Sequence, residues 1–374
     1  MIIVTSTVHT DTPHHFGPRG PLSATLISIL SDSGSLDSDD AATALDQLGG
    51  ITAAALADTD DILTDEDIQL ALFLLYGLHY GTTLDSAGVW EWNPTVLACR
   101  GQLEAAFEAV LRATIPVPAL PEATREAVAA ALFALTAPTP KAGLSRFVAR
   151  KATHEQLLEF LMQRSVYTLR EADPHSWAIP RLTGRPKAAL VEIQTDEYGG
   201  GDAERVHATI FATTMAGAGL DAHYGAYVDT VPAVTLTSLN MMSMFGLNRR
   251  LRGAIVGHLA AFEMTSSIPN RSYGDGFRRI GYGPAVTWYF DEHVEADAVH
   301  EQIAGRDLAG ALAEDFPALL SDIMFGAAAC LVIDDKMGDA ILESWMAGRS
   351  SLRDGFSVPV IPAPAVAEPA GVGA

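Results

Sequence analysis

Cysteine is nearly absent. Cys99 and Cys330 are the only two in 374 residues; they lie far apart in apolar surroundings, so no disulfide framework is available and reduced, buried thiols are expected. Positive charge is scarce too. Lys and Arg total 24 against 46 Asp and Glu, and a net charge of -22 repels phosphate backbones and anionic lipid surfaces, which excludes nucleic acid and membrane as natural partners. The longest apolar stretches, such as 325–333, are far shorter than the roughly 20 residues of a bilayer span. Residues 1–12 lack a basic region, an apolar core and a small-residue cleavage site, so a cytoplasmic protein is expected. Alternating, strand-like runs are equally rare: 233–237 is short and flanked by helical sequence, and an all-α bundle is the expected architecture.

What is present is 48% hydrophobic and 19% charged, enough for one large core or two modest ones. Residues 1–60 are rich in Ser, Thr, Asp and Gly, and the run 31–40 is so polar that most of this stretch reads as a loosely held arm. A helical N-terminal region follows over 61–145. Thr64-Asp65-Glu66-Asp67 signals a helix start, with helical apolar spacing through Tyr80. A second helix covers 96–112, prolines break the chain over 115–121, a third helix runs 122–135, and prolines break it again over 137–141. A domain boundary is expected near 140–150. From 146 to 347 the periodicity predicts helices over 154–171, 186–197, 203–216, 231–244, 248–265, 285–303 and 317–346. Pro359, Pro362, Pro364 and Pro369 make 348–374 read as a disordered tail.

Chemistry concentrates on one predicted helix. At about 100° per residue, His293, Asp297 and His300 fall within about 60° of one another, so two imidazoles and a carboxylate share a face, whereas Glu292 and Glu295 occupy others. Any one of these alone reads as a solvated helix face. Glu204-x-x-His207 is a second pairing of carboxylate and imidazole at i, i+3, as in carboxylate-bridged metal bundles. Glu171 and Glu263 end otherwise apolar helices, where the macrodipole disfavours a carboxylate and a cation is a fitting partner. Together these groups supply ligands for two cations.

The ordered series Glu171, Glu204-x-x-His207, Glu263 and His293-x3-Asp297-x2-His300 resembles the haem-oxygenase-like di-iron oxidases and oxygenases, the iron-containing redox enzymes, over about residues 150–346. The resemblance implies a haem-oxygenase-like helical bundle, with those seven residues holding two Fe(II)/Fe(III) ions and dioxygen as co-substrate. Mn or Zn suits the same donors, since affinity order alone does not select iron. The segment 223–229 is similar to a family feature and also reads as a packed aromatic turn. In the N-oxygenating members an extra glutamate reaches the iron site at the place of Glu197. On an unbroken helix Glu197 and Glu204 would share a face, but Gly199-Gly200-Gly201 interrupts it; Asp196 and Glu192 compete for the role. Haem oxygenase activity itself is disfavoured, because a cluster of carboxylates repels porphyrin propionates.

The resemblance thus implies N-oxygenation of an amine or amino acid to a hydroxylamine or nitro product, with an external electron donor. The alternatives are oxidative C–C cleavage of an amino or fatty acid, and iron binding without turnover. Arg170, Arg181 and Arg205 lie beside ligand positions and serve either a substrate carboxylate or structural ion pairs. The helices around Leu70–Leu78 and Phe107–Leu111 are apolar enough to form a homodimer surface; packing onto the C-terminal bundle accounts for them equally well.

Overall fold

The computed structural model describes residues 16–31, 39–81, 88–138 and 143–364, with the side chains of 39–41 and 295–299 excepted. Among these residues the secondary structure is helix alone, without strand, as the scarcity of alternating patterns predicts. The order is α1 (Pro21–Leu30), α2 (Asp39–Asp58), α3 (Glu66–Gly77), α4 (Pro94–Thr114), α5 (Arg125–Leu135) and α6 (Leu144–Arg150). Next come α7 (His154–Thr168), α8 (Asp173–Ser176), α9 (Gly184–Glu197), α10 (His207–Gly217), α11 (Ala233–Leu247), α12 (Arg252–Thr265) and α13 (Ser267–Ile280). A final group holds α14 (Pro284–Gln302), a π-helical segment Ile303–Gly310, α15 (Ala311–Asp315) and α16 (Leu320–Met346).

Local chemistry sets several starts. Asp65 caps α3 by accepting from Ile68 N at 2.8 Å, and Asn93 precedes Pro94 at the start of α4 and accepts from Val96 N at 3.2 Å. Thr153 and Gln156 cap α7 reciprocally.

The expectation of a loose arm over 1–60 is corrected for residues 16–31 and 39–60; residues 1–15 and 32–38 lie outside the described ones. Leu22, Leu26 and Ile29 recur at helical spacing and are fully buried, so α1 has an apolar face to pack despite its polar flanks. Asp67 fastens its start, accepting from Leu22 N at 2.8 Å and Ser23 N at 2.7 Å. Arg19 pairs with Glu66 at 2.5 Å and donates to the carbonyls of Val228 and Val231, tying this segment to the turn before α11. One apolar core therefore runs from Phe16 to Ile333, and a second surrounds Phe160, Phe277 and Phe290.

The disordered-tail expectation is also corrected up to residue 364; residues 365–374 lie outside the described ones. Ser351 and Leu352 are buried. The Glu159 carboxylate accepts from Trp345 Nε1 at 2.8 Å, Ser351 N at 2.8 Å and Ser351 Oγ at 2.7 Å, a set of bonds that proline content does not reveal.

α12 and α16 cross at the centre in near backbone contact. A Cβ at Gly257 would stand 1.8 Å from the Ile323 carbonyl oxygen, and one at Gly326 1.9 Å from that of Ala254. Pro317–Met346 is long and apolar enough to cross a membrane by length and composition, more so than its sequence suggested, yet 61% of its apolar window is buried inside the fold. It is the axis of the core.

Candidate metal centre

Five elements bring the polar interior together. Glu171 follows the end of α7, Glu197 is the last residue of α9, His207 the first of α10, Glu263 lies near the end of α12, and His293 and His300 are on α14. All six are buried. They form two overlapping groups of potential ligand atoms, each lying within 4.8 Å: Glu171, Glu197, His207 and His293, then Glu197, Glu263 and His300. Glu197 belongs to both.

Sequence reasoning placed Glu204 here, and the structure corrects it. Glu204 is exposed, in a short 3-10 turn (Ala203–Arg205). An i, i+3 pair requires continuous helix, but Gly199, Gly200 and Gly201 all take left-handed backbone angles, and Val206 is extended at φ -58, ψ 127. At Gly199 a Cβ would stand 2.6 Å from the Arg205 backbone carbon, so the chain doubles back on itself there. The fold thus puts Glu197, at the end of the preceding helix, beside His207. Asp297 lies on α14, but its side chain is outside the described residues. Glu192 is exposed, and Asp196 supports His300 from behind.

The separations suit a cation. His207 Nδ1 is 3.0 Å from Glu197 Oε2 and 3.7 Å from Glu171 Oε1; His293 Nε2 is 3.7 Å from the same Glu171 oxygen; His300 Nδ1 is 3.2 Å from Glu263 Oε2. Metal–nitrogen bonds of about 2.1 Å put neighbouring ligand atoms roughly 3 Å apart around one ion. Despite this closeness, Glu171 Oε1, His207 Nδ1 and His300 Nδ1 are buried without a hydrogen bond. Buried polar atoms are normally satisfied, so these three, each beside another candidate ligand atom, fit metal ligation.

Outer contacts fix the tautomers. His293 Nδ1 donates to the Tyr289 carbonyl at 2.8 Å, which leaves Nε2 as the lone-pair nitrogen. His300 Nε2 donates to Asp196 Oδ2 at 2.9 Å, which leaves Nδ1. Tyr289 Oη donates to Glu171 Oε2 at 2.5 Å. Imidazoles and carboxylates held this way are the usual support of metal ligands.

The electrostatics express a crowd of carboxylates. Burial, reinforced by Glu197, raises Glu171, and burial raises Glu263. Burial would also raise Glu197, but His207, His293 and His300 together overcome it and hold it low. Burial alone would lower His207 and His300; Glu197 and Glu263, respectively, lead the acids that reverse this and raise both. His293 is pushed down to about 4 by burial and by His207. Without a metal, protons on two imidazoles balance the acids, and a divalent cation would displace them. The cavity beside these groups measures about 40 Å³ and is walled by Tyr167, Phe262 and Tyr289. That is room for water and small diatomics.

The arginines beside the centre are structural. Arg170 donates to the Tyr80 carbonyl at 2.8 Å and lies 3.9 Å from the Tyr224 ring centroid; Arg181 donates to the carbonyls of Gly246 and Leu247; Arg205 pairs with Glu292 at 3.1 Å. The segment 223–229 is a packed turn, with Tyr224 stacked on Phe73 and Tyr227 Oη accepting from Asp221 N at 2.8 Å.

An all-helical bundle with buried imidazoles and carboxylates is the setting of an iron protein, and residues 158–335 match the model of the iron-containing redox enzyme family. That part of the chain resembles the family, and the all-helical fold is haem-oxygenase-like. It is also similar to the nitrosourea synthase of Streptomyces achromogenes subsp. streptozoticus, 28% identical over 156 residues, which are 41% of this chain and 33% of that protein. The match thus spans about a third of the length of this curated relative.

Proposed function

We propose that the protein is a di-iron oxygenase that uses dioxygen to N-oxygenate an amine-bearing small molecule. The observation that carries this reading is Glu197, a single carboxylate shared by two ligand groups; the family resemblance implies an extra glutamate at this place in N-oxygenating members. The likeness to a nitrosourea synthase favours nitrogen as the oxidised atom. Glu171, Glu197, His207 and His293 would hold one iron, and Glu197, Glu263 and His300 the other. Iron so bound supplies the electrons that activate dioxygen, replenished by an external donor. The chain's own contribution is geometric and electrostatic. Tyr289 and Asp196 orient ligands, the aromatic walls exclude water, and His207 and His300 hold protons beside Glu197 and Glu263 until they are displaced.

The test is to load Fe(II) without oxygen, admit oxygen, and follow visible absorption while a panel of amines, amino acids and fatty acids is assayed by mass spectrometry. The expected result is a transient band whose decay quickens with an amine, yielding a hydroxylamine or nitro product. Iron oxidation with no small molecule consumed, or products of C–C cleavage only, would contradict the reading.

A further inference from the structure

Glu171 and Glu197 present carboxylate oxygens within 4.8 Å of each other, although one follows α7 and the other ends α9. Buried like charges this close repel unless a cation stands between them. Tyr289 and His207 hold the carboxylate heads; the stretches of chain that carry them need a tie of their own.

That tie lies on both sides of Glu197. Gln194, one helical turn before it and buried, donates through Nε2 to the carbonyl of Ala172, the residue after Glu171, at 2.8 Å, and to Ser176 Oγ at 2.6 Å. Tyr198, the residue after Glu197, donates to Asp173 Oδ1 at 2.8 Å and stands 3.0 Å from Ser176 Oγ. The Tyr198 proton is spent on Asp173, so Ser176 donates to Tyr198 while it accepts from Gln194. One directed chain therefore runs from Gln194 through Ser176 and Tyr198 to Asp173, and bonds in such a chain polarise one another. Reversing the Gln194 amide would set its oxygen against the Ala172 carbonyl, which fixes the direction.

We propose that Gln194, Ser176 and Tyr198 are positioning residues for the metal centre: they clasp the end of α9 to α8 and hold Glu197 beside Glu171 before any cation arrives. This rests on the assignment of two irons to these ligands in the reading above, and not on dioxygen chemistry or on the substrate. Gln194 forms the buried part of the clasp and Tyr198 its exposed end, so Gln194 carries most of the effect.

The test is anaerobic titration with Fe(II), and in parallel with Co(II), whose visible bands report coordination number. Wild type, Gln194→Met, Ser176→Ala and Ser176→Thr are compared, and the unfolding midpoint of each metal-free protein is recorded. The expected result is that Gln194→Met binds both metals at least tenfold more weakly and shifts the Co(II) bands. Ser176→Ala, which breaks the chain away from the cavity wall that Gln194 lines, should do the same, and Ser176→Thr, which keeps the hydroxyl, should match wild type. Lower unfolding midpoints with unchanged affinity and bands would make the network merely structural and overturn the proposal; so would an equal loss in Ser176→Thr, which would assign the effect to packing. Wild-type protein that binds neither metal would instead overturn the two-iron reading, and this proposal with it.

Discussion

His293 and His300 show how single residues are prepared as candidate ligands: each spends one ring nitrogen on a protein acceptor, the Tyr289 carbonyl or Asp196, and leaves the other beside a buried glutamate. Tyr289 serves twice, because its hydroxyl also fixes Glu171. Tyr289→Phe should leave the fold intact but lower iron affinity about 10- to 100-fold, the usual effect of losing such a support; anaerobic Fe(II) titration measures it, and unchanged affinity would contradict the role. At this scale much of the candidate centre was legible. Glu171, His207, Glu263, His293 and His300, which the fold brings together, were singled out because carboxylates and imidazoles at helical spacing or at the ends of apolar helices stand out. Glu204 misled because i, i+3 spacing carries meaning only along continuous helix, and three left-handed glycines end that continuity before it. Glu197 was named from the family resemblance, and the same glycines separate it from Glu204.

Among the elements, α12, which carries Glu263, is held against α16 at a distance set by Gly257 and Gly326, which let two backbones touch. Gly326→Ala has no flexible neighbour to displace, only the Ala254 carbonyl, so it should destabilise the protein by about 3 kcal/mol or more, at the upper end of core overpacking. Urea unfolding checks this; a loss under about 1 kcal/mol would mean the helices can part cheaply. Helices with clear caps and apolar stripes, such as α3, α4 and α7, were legible from sequence. Others, α1 and α13 among them, were not. α1 is short and embedded in polar residues, and its Leu22, Leu26 and Ile29 gain meaning only once α3 is beside them. α13 was missed because Pro269, Gly274 and Gly276 look like loop punctuation; a Cβ at Gly276 would lie 2.6 Å from the Val148 carbonyl oxygen, so that glycine serves close packing against α6. The π-helical turn after His300 has no sequence signature either, although such turns favour functional sites.

For the whole molecule, the interior sets a pH limit. His175 Nε2 and His258 Nδ1 are 3.2 Å apart in the core; burial lowers His175 to about 4 and His258 further, with His175 adding to the effect. The unfolded chain takes up these protons near pH 6.5, whereas the folded one resists until about 4. Their contribution to stability is therefore complete above about pH 6.5 and is lost as pH falls from there toward 4. Denaturant midpoints between pH 7.5 and 4.5 should decline, and His258→Phe, placed among the Phe245 and Phe262 rings, should flatten that decline. An equally steep fall in the variant would assign acid sensitivity elsewhere.

The central claim is that Glu197, not Glu204, joins two iron ions. Counting Fe(II) bound per chain without oxygen tests it most directly, in wild type, Glu197→Ala and Glu204→Ala. The account predicts two irons in wild type and in Glu204→Ala and at most one in Glu197→Ala; two irons retained by Glu197→Ala, or their loss in Glu204→Ala, would contradict it.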